Sequence, residues 1–523
     1  MAERKGGRGI AEVFWGWAAD DPNRRALVDV DGTSVSYGAL AADAHRVSHL
    51  FRQIGLDRGD GIAVVLPNCK ATMQVYLATL ESGLYYTPVN FHLTADEIAF
   101  VVSDCDAQAL IVHERFADSC RQAIAAGHVH PDRIFAIGSV EGTHPLLDSL
   151  AGLSGSAPID SSPGQRMLYT SGTTGRPKGV KRPLPDGLEP TAANAAEQAR
   201  MFEIVPGEGS HLLAGPMYHG APLMFGTTAL HLGQAVVIMD KWTADSTLDL
   251  IMRYQISATH MVPTMFHRLL GLPEEVRAAA DVSSLRNVLH AAAPCPVEVK
   301  RKMISWWGPV LYEYFGATEV GTMTTIRTEE WLDHPGSVGR TPPGVQLRII
   351  DEDENECPPG QPGIVCALTP MGRTFEYYKD PEKTATVRRG EWVTISDIGY
   401  VDEDGWLYLC DRQADVIISG GVNVYPAEIE ATLLEHPAVG DAAVIGVPNE
   451  EWGEEVKAIV ELRAGITGDD DLAREIFAFC GLRLAGFKTP RSIEFRDLPR
   501  YTSGKLYRRR LRDEYWKERA TRI

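Results

Sequence analysis

A chain of 523 residues exceeds what one hydrophobic core supports, so two or more folding units are expected. With 44% hydrophobic and 23% charged residues, and no run near the ~20 apolar residues of a membrane span, the composition fits a globular protein without integral membrane association. A net charge of -19 repels nucleic acid and anionic membrane surfaces, so neither is expected as a partner.

The first residues, MAERKGGRG, carry charge with no apolar stretch behind them, which predicts no secretory signal and a cytoplasmic protein. Further along, GIAVVLP (61–67), ALIV (109–112), AVVIM (235–239) and RNVLHAAA (286–293) have the length and branching of buried strands. ATMQVYLATLESG (71–83) and DSTLDLIMRYQ (245–255) lie between them with helical character. Strand and helix in alternation predict a layered α/β architecture. After about residue 345 the pattern turns to short strands joined by acidic Gly/Pro turns, in VQLRIIDEDENECPPGQPGIVCAL and then ISDIGYVDEDGWLYLCD, which predicts a β-rich subdomain.

A further unit begins near residue 412. PAEIEATLLEH reads as a helix, VGDAAVIGV and EVKAIVEL as strands, and DDDLAREIFAFCGLRL as a helix with an acidic first turn. Such a segment of ~110 residues suffices for an α+β domain. The joint DRQAD (411–415) is short and polar, which suits a hinge. The expected division is therefore 1–411 for a large α/β domain with its β-rich subdomain, and 412–523 for a small mobile α+β domain. Eight cysteines, at 69, 105, 120, 295, 357, 366, 410 and 480, form no C-x-x-C pair and are expected as reduced, mostly buried thiols. Residues 485–523 hold twelve Lys/Arg against five Asp/Glu, a local surplus that could draw an anionic small molecule.

Three stretches carry chemistry. YTSGTTGRPKG (169–179) sets three glycines and four Ser/Thr hydroxyls before and around Lys178. Glycines let backbone N–H groups turn toward a ligand, and hydroxyls and an ammonium add donors, so phosphate binding and a plain solvated turn both remain open. The P-loop NTPase pattern fails here, because Pro177 precedes Lys178 and Gly179 follows it. In YEYFGATEVG (312–321), Glu319 could hold Mg²⁺ and the aromatic before Gly316 could stack on a base; alone, a strand end with a core aromatic is the simpler reading. The third stretch is SDIGYVDEDGWLYLCDRQADVIISGGVNVYPAEIE (396–430).

Together with LPRYTSGKLYRRRLRD (498–513), SYGAL and GLDRGDGIAVVLPN (55–68), these motifs in this order resemble the adenylate-forming superfamily of acyl-CoA synthetases, luciferases and nonribosomal adenylation domains, over nearly the whole chain. The resemblance implies that Thr170, Ser171, Gly172, Thr173, Thr174, Gly175 and Lys178 belong to a loop holding the ATP β- and γ-phosphates. It implies that Phe315, where the family usually has Tyr, stacks on adenine beside Gly316, that Thr318 touches the α-phosphate, and that Glu319 is the Mg²⁺ ligand. Asp397 and Arg412 match ribose ligands, although Ile395-Ser396 replaces the usual Thr-Gly before the aspartate. Lys505 matches the lysine that acts in adenylation, and Ser419, Gly420 and Gly421 match the loop brought to the site by domain rotation for the second half-reaction. Two departures bear on that second step: the pivot position, usually Asp or Lys, is Ala414, and Val422 stands where many relatives have Glu.

The same resemblance narrows the acid. Amino-acid-activating members have an aspartate for the substrate ammonium, whereas GPMYHGAP (215–222) offers Tyr218-His219, so no carboxylate awaits an amine. His219 resembles the aromatic gate of acyl- and aryl-CoA synthetases; a hydrogen-bonded core histidine is the alternative. Met217, Gly220, Met261, Ala291, Ala292, Ala293 and Gly321 are pocket-lining candidates, small or apolar, which favours a hydrophobic aliphatic or alicyclic acid. Coenzyme A is the family's commonest acceptor, and Trp452, Phe487 and Lys488 sit where CoA-using relatives contact it. The rival is an amide-forming ligase, which needs a base in the acceptor channel to deprotonate an ammonium; a silent nucleotide-binding protein is opposed by the presence of Lys505, Glu319 and Asp397. A monomer or homodimer working on small molecules is expected.

Overall fold

A computed structural model describes residues 13–516 apart from 171–176, 294, 352, 369–373, 413–414, 420–421, 450–451, 485, 487 and 501–505. Two mainly parallel sheets dominate the large unit. The first has six parallel strands in the order His144–Pro145, Ile134–Ile137, Ala107–His113, Gly61–Val65, Tyr85–Pro88 and Gln165–Arg166. The second has eight, in the order Gly321–Arg327, Leu311–Ala317, Asn287–His290, Ala258–Met261, Ser210–Leu213, Ala235–Ile238, Arg25–Val28 and Ser34–Ser36, parallel except for the outermost strand at either edge.

The apolar runs of the sequence are these strands. Gly61–Val65 and Ala235–Ile238 are buried at every position, as parallel strands covered on both faces must be. Helices Tyr37–Gln53, Lys70–Glu81 and Gly220–His231 pack between the sheets, and one core joins Ile62 and Val64 of the first sheet to Leu213, Val236 and Ile238 of the second through Leu40, Met73 and Leu223. Lys70–Glu81 is buried nearly all round, which explains why its sequence shows so little polar face.

A small antiparallel sheet of Leu168–Thr170, Lys178–Lys181 and Glu376–Tyr377 ties this body to the β-rich part. There Gln346–Ile350, Gly363–Leu368, Trp392–Val401, Arg388–Arg389 and Leu407–Arg412 form five antiparallel strands. Beyond it, Ile417–Ser419, Val422–Val424, Val439–Asn449, Gly453–Leu462 and Ser492–Phe495 make a separate sheet with its own core, in which helices Pro426–Leu434 and Asp470–Gly481 bury Ile429, Leu433, Ile476 and Cys480. Asp469 caps the second of these helices by accepting from Leu472 N. All eight cysteines are unbonded, and five of them are buried. Among the described residues, no helix is long and apolar enough to cross a membrane.

Candidate active site

Four neighbouring strands of the eight-stranded sheet, Leu311–Ala317, Asn287–His290, Ala258–Met261 and Ser210–Leu213, run parallel, so the segments leaving their carboxyl ends collect along one rim. Open parallel sheets bind ligands at such rims. From these ends come Phe315 to Glu319, Ala291 to Ala293, Met261, and Met217 to Gly220. The rim thus gathers residues separated by about 100 positions of sequence.

Leu311–Ala317 turns back into Gly321–Arg327, and Thr318, Glu319 and Val320 form the turn. Gly316 is obligatory there, because a Cβ would lie 2.2 Å from the Gly321 carbonyl oxygen, and Gly321 itself takes φ 78°. Arg182, just past the Lys178 strand, donates to the carbonyls of Thr318 (2.8 Å) and Glu319 (2.9 Å) and so fixes this turn against the hairpin of Leu168–Thr170 and Lys178–Lys181. The Glu319 side chain is buried and accepts from the Tyr377 hydroxyl at 2.9 Å. Burial first, then the nearby carboxylate, raise the Tyr377 pKa, so its hydroxyl stays a donor.

Thr170 and Lys178 face each other across the hairpin that brackets 171–176, so Ser171, Gly172, Thr173, Thr174 and Gly175 lie outside the described residues while both stems are placed. Lys178 Nζ donates to Asp380 Oδ2 at 2.8 Å and lies 5.8 Å from the centre of the Tyr377 ring. That bond is the main cause holding the Asp380 carboxyl below its ordinary range. Lys178, Thr318, Glu319, Tyr377 and Asp380 therefore form one cluster. Tyr377, Asp380 and Arg182 were not singled out in the sequence, since each finds its partner across more than 50 residues of chain.

Phe315 is half-buried and packs against Val320 and Met323 and against Val365 and Leu407. Asp397 is buried and stands directly opposite Arg412 in the antiparallel pair. Ser396 takes φ 63°, the left-handed conformation that a glycine would adopt without strain. Ala292 does likewise at φ 74° on the rim.

His219 sits at the N-terminal boundary of helix Gly220–His231, half-buried, its ring centre 4.5 Å from that of Tyr218. Met217 is buried, and its N–H donates to Asn68 Oδ1 at 2.8 Å; the Asn68 amide donates in turn to the Gly215 and Met239 carbonyls. A Cβ on Gly220 would meet Leu168 Cδ1 at 2.7 Å, so this glycine lets the helix approach strand Leu168–Thr170. Met261 is wholly buried in the core with Leu212 and Phe266, Ala291 is buried beside Phe225 and Tyr314, and Ala292 and Ala293 are exposed. Below Ala291, His260 stacks on Phe225 at 5.2 Å and bonds the Tyr314 hydroxyl at 3.0 Å; burial pushes its pKa down to about 3, so it is neutral.

In the small unit, Ser419 pairs with Gly453, next to Trp452. The Trp452 ring carries the Arg491 guanidinium at 4.1 Å, and Lys488 donates to both Glu428 oxygens at 2.8 Å. Gly420, Gly421, Phe487, Ala414 and Lys505 lie outside the described residues. Arg500 bridges to Leu506 and makes a two-pronged ion pair with Asp441, both contacts at 2.6 Å.

Residues 14–378 match the family model for AMP-binding enzymes, and residues 428–505 match that for the AMP-binding enzyme C-terminal domain. The chain belongs to the AMP-binding enzyme family. Among its relatives, the fatty acid–[acyl-carrier-protein] ligase ScoC of Streptomyces coeruleorubidus is 32% identical over 518 residues, covering 97% of this chain and 96% of that one. The long-chain-fatty-acid–CoA ligase of Bacillus subtilis is 30% identical over 533 residues, covering 95% and 93%. The crystal structure of ATP-bound MatB from Rhodopseudomonas palustris superposes with a TM-score of 0.83 at 30% identity, covering 97% of this AMP-binding enzyme and 99% of that chain. The two-sheet body with a smaller C-terminal unit is thus the architecture of adenylate-forming enzymes.

Proposed function

We propose that this AMP-binding enzyme activates a hydrophobic carboxylic acid with ATP as an acyl-adenylate, releasing pyrophosphate, and then transfers the acyl group to coenzyme A. The observation that carries the reading is that Lys178, from a hairpin, is brought beside Thr318 and Glu319, from a strand turn at the rim of a parallel sheet, through Tyr377 and Arg182. The first step brings a carboxylate onto the α-phosphorus of ATP, and like charges ~4 Å apart repel by about 4 kcal/mol at an effective dielectric near 20. Cations have to offset this. Lys178 holds the outer phosphates, and Lys505, delivered by the small domain, sits between carboxylate and α-phosphate as negative charge builds there. Thr318 donates to the α-phosphate, Phe315 carries the adenine, and Asp397 and Arg412 hold the ribose.

Glu319 fits Mg²⁺. Mg²⁺ keeps waters and substrate phosphates as ligands and needs only one or two protein carboxylates, and among the described residues no cluster of three or more His, Cys, Asp or Glu competes for a metal. When bound, the ion neutralises phosphate charge and polarises the phosphoryl group. The acid lies beside His219, against Gly220, Ala291 to Ala293 and Gly321, with Met217 and Met261 behind them. A division at 411/412 with a pivot at Ala414 lets the small domain exchange Lys505 for the Ser419–Gly421 loop. For the acceptor, Trp452, which precedes the Gly453 paired with Ser419, supports a pantetheine-bearing thiol, and the similarity to a CoA ligase and to an acyl-carrier-protein ligase points to the same thiol chemistry. A thiol, with an ordinary pKa of about 8.5, supplies some thiolate near neutral pH and attacks without a dedicated base, whereas an ammonium must first be deprotonated.

The test is acid-dependent ATP–pyrophosphate exchange over a panel of hydrophobic acids, followed by mass analysis of products formed with CoA, holo-acyl carrier protein or amines. Acyl-CoA is expected; amide products alone would replace the acceptor, and no exchange with any acid would overturn the reading. Lys505→Ala should abolish acyl-adenylate formation and spare transfer from a supplied acyl-adenylate. Equal loss of both steps would refute its assignment.

A further inference from the structure

Two charged groups of the site are held by residues outside its motifs. One Glu319 oxygen, Oε1, accepts from the Tyr377 hydroxyl at 2.9 Å, and Lys178 Nζ donates to Asp380 Oδ2 at 2.8 Å. Tyr377 is itself fixed. Its strand pairs with Lys178–Lys181 in the register Val180 opposite Tyr377, its N–H donates to Thr384 Oγ1 at 2.9 Å, and its side chain is buried against Val180 and Phe375. Asp380 is fixed too, since Oδ1 caps helix Pro381–Val387 by accepting from Lys383 N at 2.9 Å, which turns Oδ2 toward Lys178.

Resting on the adenylation reading, we propose that Tyr377 is a positioning residue that orients Glu319 for the cation carried by ATP, and that Asp380 occupies Lys178 until a nucleotide phosphate replaces it. A phenol suits the first task. An arginine or lysine in its place would orient the carboxylate but neutralise it, and so compete with Mg²⁺; a neutral hydroxyl fixes Oε1, leaves the negative charge intact and directs Oε2 to the metal. The second task requires a partner that gives way. The Asp380 side chain is 36% exposed, and ion pairs at such positions are weak, so a triphosphate with several negative oxygens displaces it.

The experiment measures binding of a non-hydrolysable ATP analogue to the full chain by calorimetry, in EDTA and across a Mg²⁺ titration. In Tyr377→Phe, which keeps the ring and removes one oxygen, the Mg²⁺ concentration for half-maximal enhancement of binding should rise about tenfold while affinity in EDTA stays unchanged, as loss of one hydrogen bond to a charged group predicts. An unchanged Mg²⁺ requirement, with or without a lowered melting temperature, would overturn the role of Tyr377. Asp380→Asn retains the helix cap and should tighten binding in EDTA by a few fold; unchanged or weaker binding would overturn the exchange, and this variant tests it even if Tyr377→Phe folds poorly. If the wild-type chain binds the analogue without any Mg²⁺ dependence, the assignment of Glu319 falls instead.

Discussion

A buried ion pair at strand Leu311–Ala317, which leads to the Thr318 turn, gives the sharpest stability test. Lys300 is fully buried and its Nζ donates to Glu313 Oε2 at 2.6 Å, while the Trp331 ring lies 4.6 Å from the ammonium. His290 Nε2 stands 3.7 Å from the same carboxylate oxygen, but burial and the Lys300 charge hold its pKa far below the ordinary value, so it is neutral. Lys300→Met therefore leaves Glu313 with no cationic partner. Removing one member of a buried pair costs about 3–5 kcal/mol, whereas replacing both with apolar groups is close to neutral. The prediction is that Lys300→Met loses this much, and that adding Glu313→Met restores stability to within about 1 kcal/mol of wild type. Urea unfolding followed by tryptophan fluorescence, with Trp331 as the local reporter, measures both. The loss should shrink from pH 8 to pH 6, because a proton taken up by Glu313 or His290 relieves the uncompensated charge. A single variant costing under ~1 kcal/mol, or a double variant no better than the single, would refute the reasoning.

Acid should destabilise the large domain before its carboxylates titrate. Burial lowers the pKa of His211 and His231 to about 4, of His260 to about 3 and of His290 further, so as pH falls through ~6.5 the unfolded chain takes up protons that the folded one refuses. The stability conferred by these neutral rings is present above that pH and is lost as pH falls from ~6.5 to ~4 for His211 and His231 and on to ~3 for His260, at up to about 1.4 kcal/mol per histidine per pH unit; a calorimetric melting temperature that stays flat from pH 7 to pH 5 would contradict it. Ser396→Gly should raise stability by roughly 0.5–1 kcal/mol, because φ 63° strains a residue with a Cβ, while Ser396→Val should lower it. Equal melting temperatures for the two variants would show that the strain is absent.

The strands and helices were legible because parallel strands buried on both faces leave unbroken apolar runs. GIAVVLP became Gly61–Val65, AVVIM became Ala235–Ile238, and DSTLDLIMRYQ became Ala244–Tyr254 with Thr243 as its cap. The β-rich part was legible from its acidic turns, which join Gln346–Ile350 to Gly363–Leu368 and Trp392–Val401 to Leu407–Arg412. Lys178, Thr318 and Glu319 were singled out by the family resemblance that their short motifs carry, since each stretch read alone also fits a plain turn or strand end. Their supports were not. Tyr377 meets Glu319 across 58 positions, Asp380 meets Lys178 across 202, and Asn68 meets Met217 across 149, and no local pattern of hydrophobicity or turn residues records such pairings. The substitution of Ser396 for glycine could be seen in the sequence, but its strained backbone becomes visible only once strand Trp392–Val401 is in place.

The three-stranded sheet of Leu168–Thr170, Lys178–Lys181 and Glu376–Tyr377 also imposes a timetable on biosynthesis. The six-stranded sheet is complete in sequence by Arg166, so a nascent chain can begin to organise it while the ribosome is still reading the next two hundred codons. The cluster around Glu319 has no such head start: until Tyr377 and Asp380 clear the exit tunnel, the growing polypeptide holds Lys178 and Glu319 without the clamps that orient them.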